Sequence, residues 1–304
     1  MGKYKMRVLL ALDGSKHSSE AVRYVNQLLP PNRMEVTLFH VSCNVPETFW
    51  DIEKNPAFRH QLAPVAAWAT TQEKGMEEFM EKSRQLFMDH DVPAEAVTVK
   101  IQARKTGIAR DIIREAQSGY DAVVVGRWGV SKIKDLLWGG IANKLIGHLY
   151  HVPLCVVGET TEMGKVLVAV DTSEEVIRIA SFVGTLLAGT DCTVTLLHAF
   201  RILEQFLLET DEEKNQLEAE LQAVYQDAID QMQKCGLNRD LISTETISGV
   251  TSRAKAIVDA AQKGGFGTVV VGRRGMSGVE EFVMGRVSNK VMQLAKEMAV
   301  WVVN

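Results

Sequence analysis

The chain is one unit written twice, and this repeat limits what it can fold into more than any other feature. RVLLALDGS (7–15) returns as KVLVAVDTS (165–173), which sets Asp13 on Asp171 at an offset of 158. EVTLFHV (35–41) returns as TVTLLHA (193–199), and His40 falls on His198 at the same offset of 158. DAVVVGRWG (121–129) returns inside FGTVVVGRRG (266–275), with Gly126 on Gly272 and Asn143-Lys144 on Asn289-Lys290, now at an offset of 146. The first copy therefore holds 12 more residues between its second and fourth strands. Their expected place is CNVPETFWDIEKNPAFRHQLAPV (43–65), which is proline-rich, aromatic and reads as irregular. Units this long are whole domains rather than solenoid repeats. The expected domains are residues 1–158 and 165–304, with 159–164 as linker inside the short polar stretch GETTEMG (158–164).

Within each copy apolar runs alternate with helical periodicity. RVLLAL is continuous, as a strand covered on both faces requires. In the following SSEAVRYVNQLL, Ala21, Val25, Leu28 and Leu29 share one helical face. Further strands are expected at 35–41, 97–101, 121–125 and 152–157, with helices around 66–90, from near Gly107 and from about 140. The second copy repeats the strands near 165–170, 193–198, 243–247, 267–271 and 299–303. Strands alternating with helices predict a parallel sheet covered on both sides. The expected class is α/β, as two doubly wound, five-stranded, Rossmann-like domains in tandem. A ligand then belongs beyond the carboxyl ends of the strands, where the winding reverses.

The residues at those strand ends are unusual. Asp13 and Asp171 end the first strand of each copy, His40 and His198 end the second, and glycine loops leave the fourth. Glycine lets another group lie against the backbone, and the free N–H groups of a helix start attract phosphate. Gly126, Gly129 and Gly139, like Gly272, Gly275 and Gly285, run from a strand end to a helix start. That makes each loop a candidate phosphate cradle, although tight strand-to-helix connections use glycine as well. There is no GxxxxGK[ST] loop, and no GxGxxG follows the first strand, so neither a Walker-type loop nor a dinucleotide fingerprint is present.

The pattern G-x2-G-x9-G behind a VVVG strand, with the VxVDxS start and the closing strands VPLCVV and VWVV, resembles the universal stress protein family. The resemblance covers nearly the whole chain, as two family domains in tandem. It implies a five-stranded parallel sheet in each, often paired through the last strand, and ATP binding in some members. Carried over residue by residue, the first site is Asp13, Val41, Gly126, Gly129 and Gly139, and the second is Asp171, Ala199, Gly272, Gly275 and Gly285. ATP-binding members place a small hydroxyl after the third glycine. This chain has Gly140 and Arg286 there, and two residues on it has Ala142 and Ser288. Gly140 keeps the backbone N–H, whereas Arg286 could either reach a phosphate or fill its space. Ser288, with Arg273 and Arg274 nearby, tilts the choice slightly toward the second copy. ATP, with or without Mg2+, is the cofactor the resemblance implies.

Three function classes stay open: an adenine-nucleotide-binding regulator of the stress response, a nucleotide-free scaffold acting through protein partners, and a weak ATPase. No GxSxG, HExxH or nucleophile–base pair is evident, so at most slow ATP hydrolysis is expected. Arg127, Lys132, Lys134, Arg273, Arg274 and Arg286 could neutralise phosphates or simply be solvated. His148 and His151 stand near a helix end without a third metal ligand, so no metal site is assigned. The net charge of −4 gives no general reason to expect nucleic acid, and no apolar run approaches a membrane span. Four cysteines without CxxC spacing suit a reducing compartment, and with no evident leader they point to the cytoplasm. A lone domain would leave its last strand unpaired. Fusion raises the effective concentration of a partner, so strands 153–157 and 299–303 are expected side by side as an intramolecular pseudo-dimer, with room for a further homodimer.

Overall fold

The computed structural model describes residues 4–42, 59–127, 140–159, 163–173, 175–203, 207, 210–273 and 284–304. The first copy runs β1 (Met6–Ala11), α1 (Lys16–Leu28), β2 (Met34–Ser42), α2 (Arg59–Met88), β3 (Val97–Ala103), α3 (Ile108–Ala116), β4 (Ala122–Gly126), α4 (Gly140–His148) and β5 (Leu154–Val157). The second runs β6 (Lys165–Ala169), α5 (Glu175–Leu187), β7 (Thr193–Arg201), α6 (Asp211–Lys234), β8 (Ile242–Val250), α7 (Arg253–Gly264), β9 (Thr268–Gly272), α8 (Arg286–Leu294) and β10 (Ala299–Val303). This is the expected α/β alternation in both copies. No described helix is long and apolar enough to cross a membrane.

The strands form one ten-stranded sheet in the order β3-β2-β1-β4-β5-β10-β9-β6-β7-β8. Within each copy the pairing is parallel, and the winding reverses between β1 and β4 and again between β6 and β9. The copies meet through β5 and β10, which pair antiparallel with Trp301 opposite Cys155. The last strands therefore lie side by side, and each covers an edge the other would leave open.

Alternation along the buried strands divides the core in two. Val8 and Leu10 join Val22, Val25, Phe87, Val183, Ile229 and Trp301 on the face covered by α1, α2, α5 and α6. Leu9, Val123 and Val125 join Ile112, Leu145, Ile257 and Val291 on the face covered by α3, α4, α7 and α8. Both layers run unbroken across the β5–β10 junction, since Cys155 and Trp301 belong to the first and Val156 and Val300 to the second.

At that junction the repeat is no longer symmetric. Tyr24 of α1 and Phe182 of α5 are equivalent positions, and both approach Trp301. The Trp301 indole N–H donates to the Tyr24 hydroxyl at 2.8 Å, and that hydroxyl lies 3.0 Å from Thr268 Oγ1. Phe182 meets the Trp301 ring at 5.1 Å between centroids.

The segment expected to be irregular is helical from Arg59, because α2 spans Arg59–Met88. Residues 43–58 lie outside the described part. The stretch HQLAPVAAWA is rich in strong helix formers, which outweigh its single proline. Elsewhere the ends follow ordinary rules: Ser15 caps α1 by accepting from the Ser18 amide at 3.2 Å, and Thr210 and Glu213 close a capping box on α6.

Candidate functional site

Each reversal of the winding is where a sheet of this kind takes its ligand, in the crevice beyond the carboxyl ends of the strands. In the first, Asp13 follows β1, Val41 lies near the end of β2, and Gly126 ends β4. Asp13 Oδ1 accepts from the Ser15 amide at 3.1 Å and the Ser18 hydroxyl at 2.7 Å, so the first turn of α1 sets the carboxylate. Val41 is buried, and Gly140 is exposed at the start of α4. A Cβ on Gly140 would meet nothing within 4 Å. Gly129 and Gly139 lie outside the described residues.

Gly126 has a packing reason to be glycine. A Cβ there would sit 2.7 Å from the His17 backbone carbonyl, in the first turn of α1. The glycine allows α1 to lie directly against the end of β4. His17 is buried, and its Nε2 is 3.5 Å from a Glu159 carboxylate oxygen.

The second crevice repeats the plan with different chemistry. Asp171 Oδ1 accepts from the Ser173 amide at 3.0 Å and the Ser173 hydroxyl at 2.5 Å. Ala199 is buried, and its carbonyl accepts from Arg253 Nε at 3.0 Å. Gly272 ends β9, and Gly285 precedes α8 without a side-chain cap. The Gly285 amide donates to the Arg273 carbonyl at 2.8 Å. Arg286 is exposed, whereas Ser288 is buried and its hydroxyl donates to the Gly272 carbonyl at 2.6 Å. Gly275 lies outside the described residues.

The histidines that end the second strands are held by backbone. His40 Nδ1 is 2.7 Å from the Leu12 carbonyl, and His198 Nδ1 is 2.9 Å from the Val170 carbonyl. A carbonyl oxygen only accepts, so Nδ1 carries the hydrogen in both. Each imidazole thereby ties β2 or β7 to the residue just before the aspartate.

Two of the arginines left open between phosphate neutralisers and solvated loop residues are neither solvated nor turned to a phosphate site. Arg127 is fully buried and Arg273 nearly so. Arg127 donates across the junction to the Met292 carbonyl at 2.8 Å and the Ala295 carbonyl at 2.6 Å. Arg273 donates to the Ile146 and Leu149 carbonyls, each at 2.6 Å. These carbonyls close the ends of α8 and α4, where a cation is favoured by the helix dipole and by unpaired carbonyls. Burial pushes the Arg127 guanidinium down to about 10, which leaves it charged at neutral pH. Arg273 Nε also donates to the Asn304 side chain. The position equivalent to Asn304 is Gly158, and Arg127 Nε is buried without a hydrogen-bond partner among the described residues. The sequence signal for this role was an arginine after the glycine in both copies, which a solvated loop has no reason to repeat. Lys132, Lys134 and Arg274 lie outside the described residues.

Among the described residues no three or more His, Cys, Asp or Glu side chains gather closely enough to hold a metal. The exposed His148 and His151 are no exception.

The universal stress protein family pattern matches residues 5–157 and again residues 163–304. Universal stress protein YxiE of Bacillus subtilis is 28% identical over 145 residues, covering 43% of this chain and 93% of that protein. The structure is similar to that of a universal stress protein from Archaeoglobus fulgidus, with a TM-score of 0.65 and 18% identity over 98% of both chains. A putative universal stress protein from Pseudomonas aeruginosa superposes with a TM-score of 0.55 and 16% identity, covering 98% of this chain and 93% of that one. The two matches, one for each copy, cover nearly all of the sequence, and the chain belongs to the universal stress protein family as a tandem member.

Proposed function

We propose that this protein binds one adenine nucleotide, ATP with Mg2+, in the first crevice and works as a nucleotide-sensing regulator of the stress response. The observation that carries the reading is the meeting of Asp13, Val41 and Gly126 at the reversal of the winding, with the exposed Gly140 backbone at the start of α4. A helix start without side-chain bulk is suited to phosphate. A carboxylate held by its own loop is suited to the hydroxyl or amine donors of a nucleoside.

The second crevice favours a different use. Its Gly285 amide and Ser288 hydroxyl already donate inside the protein, and Arg273 is turned toward α4. We assign it a structural or partner-binding part, which is the scaffold reading confined to one half. At most slow ATP hydrolysis is expected: the hydroxyls that meet the two aspartates, those of Ser18 and Ser173, serve in this reading to set each carboxylate in its own loop. The free thiols Cys155, Cys192 and Cys235 accord with a cytoplasmic home, and 159–164 is our choice of linker between domains 1–158 and 165–304.

The test is mass spectrometry of nucleotide released from freshly purified protein, followed by calorimetric titration with ATP and Mg2+. About one nucleotide per chain is expected. Two per chain would return the second crevice to nucleotide binding. Protein that is empty and takes up no ATP would overturn the reading.

A further inference from the structure

Arg127 and Arg273 each border one crevice and grip the other half. The Arg127 amide donates to the Val157 carbonyl at 2.9 Å and the Arg273 amide to the Val303 carbonyl at 2.7 Å, so both backbones are fixed to the paired strands β5 and β10. From there each guanidinium crosses the junction to a helix end. Met292 and Ala295 in the second copy are the equivalents of Ile146 and Leu149 in the first, so the two grips are the same contact made in opposite directions. The gripped helices, α4 and α8, are the ones whose starts front the crevices. Each is 9 residues long, hence a rod of roughly 14 Å.

We propose that Arg127 and Arg273 are crosswise positioning residues, each setting from its own half the helix that forms the other half's crevice, and that they couple the two crevices. The proposal rests on the reading that the first crevice takes an adenine nucleotide.

Arg273 is the stronger arm. Its amide holds β10, its carbonyl holds the Gly285 amide at the start of α8, and its guanidinium holds the far end of α4. Asn304 satisfies its Nε and in turn donates to the Val152 carbonyl at 2.9 Å. One residue therefore connects the start of α8 to the end of α4. A short helix moves as a unit, so a phosphate drawn to the Gly140 end displaces the Ile146–Leu149 end as well. Arg273 follows, and its carbonyl shifts against the Gly285 amide. In this proposal the Arg273–Gly285 bond, made here at 2.8 Å and broken on binding, supplies the two arrangements that coupling between sites requires. Arg127 is the weaker arm, since its Nε has no partner among the described residues and Gly158 stands where Asn304 stands in the other copy.

The experiment is hydrogen exchange on the full chain, with ATP and Mg2+ as probe, in the parent and in Arg273→Gln and Arg127→Gln. Without nucleotide, Arg273→Gln is expected to speed exchange in 140–148 by about fivefold or more, the factor set by losing one hydrogen bond. Arg127→Gln is expected to do the same in 286–294. Loosening confined to each arginine's own half would overturn the assignment, whether or not nucleotide binds. With nucleotide, the parent is expected to change at 140–148 and also at Gly285 and 286–294. The distant change is expected to vanish in Arg273→Gln while the near one remains. A distant change that persists in Arg273→Gln, or protection of 140–148 with none at 285–294, would overturn the coupling. Absence of any ATP effect, with the crossed loosening intact, would overturn the nucleotide reading and the coupling but keep the positioning roles. Should Arg273→Gln fail to fold, Asn304→Ala leaves the guanidinium in place but removes its Nε partner, and with it the bond to the Val152 carbonyl; it should produce the same crossed loosening of 140–148 to a smaller degree, and its absence would overturn the Arg273 assignment.

Discussion

Ser288 and Gly272 close the second crevice on itself: the hydroxyl on α8 donates to the carbonyl that ends β9 at 2.6 Å. The equivalent of Ser288 in the first copy is Ala142, which is buried and has no hydroxyl to give. The bond is structural, so Ser288→Ala should lower stability in urea by about 1 kcal/mol. Nucleotide affinity should stay within about twofold of the parent, since a lost phosphate contact would cost more. A collapse of affinity at unchanged stability would make Ser288 a phosphate donor instead.

The glycines of the first copy should divide by role. Gly126→Ala places a Cβ 2.7 Å from the His17 carbonyl and must push α1 away from β4. A loss of about 2 kcal/mol or more is expected, the scale of an overpacked core, read as a fall in Tm. Gly140→Ser meets open space and should leave Tm nearly unchanged. If the first crevice binds phosphate, the added hydroxyl should tighten ATP severalfold, an effect on the order of 1 kcal/mol by calorimetry.

Tyr24 joins the halves through a hydroxyl shared with Trp301 and Thr268. Tyr24→Phe strands the buried indole N–H, and leaving such a donor unsatisfied costs about 1–3 kcal/mol. Adding Trp301→Phe removes the stranded donor, so the double variant should lose less than the two single losses combined. Additive losses in denaturation would show that the hydroxyl and the indole act independently.

High pH should weaken the fold. Burial holds the Tyr24 hydroxyl well above its ordinary 10.0 and the Cys155 thiol well above 9.0, and it raises Tyr225 and Tyr120 in the same direction. The native state keeps these protons at a pH where the unfolded chain has released them. Their contribution is complete below the unfolded values and falls as pH rises past them. The urea midpoint should therefore be level near pH 8 and decline from about pH 9 upward. Tyr24→Phe should show a shallower decline, and an equal slope would remove Tyr24 from the cause.

The strands were readable because RVLLAL and VVVG are apolar runs bounded by polar residues, the mark of a sheet covered on both faces. Asp13 and Gly126 were readable as neighbours because topology places strand ends together whatever the details of packing. The destinations of Arg127 and Arg273 were not, since the carbonyls they meet are 165 and 127 residues away. Local pattern carries no record of a helix end brought in by another domain. Gly126 alone could not separate two roles for a related reason: close packing by α1 and close approach by a ligand demand the same missing Cβ.

Trp301 faces Cys155 across the antiparallel junction, and the two positions are equivalent in the repeat. Were either half to pair with its own twin, two indoles or two thiols would compete for the place that one of each now fills. One arrangement would be overcrowded and the other hollow, and cores resist both. Duplication here has worked as a ratchet. Once the larger ring and the smaller thiol had become each other's complement, the halves ceased to be interchangeable, and a return to independent life as a self-pairing protein would require both to change together.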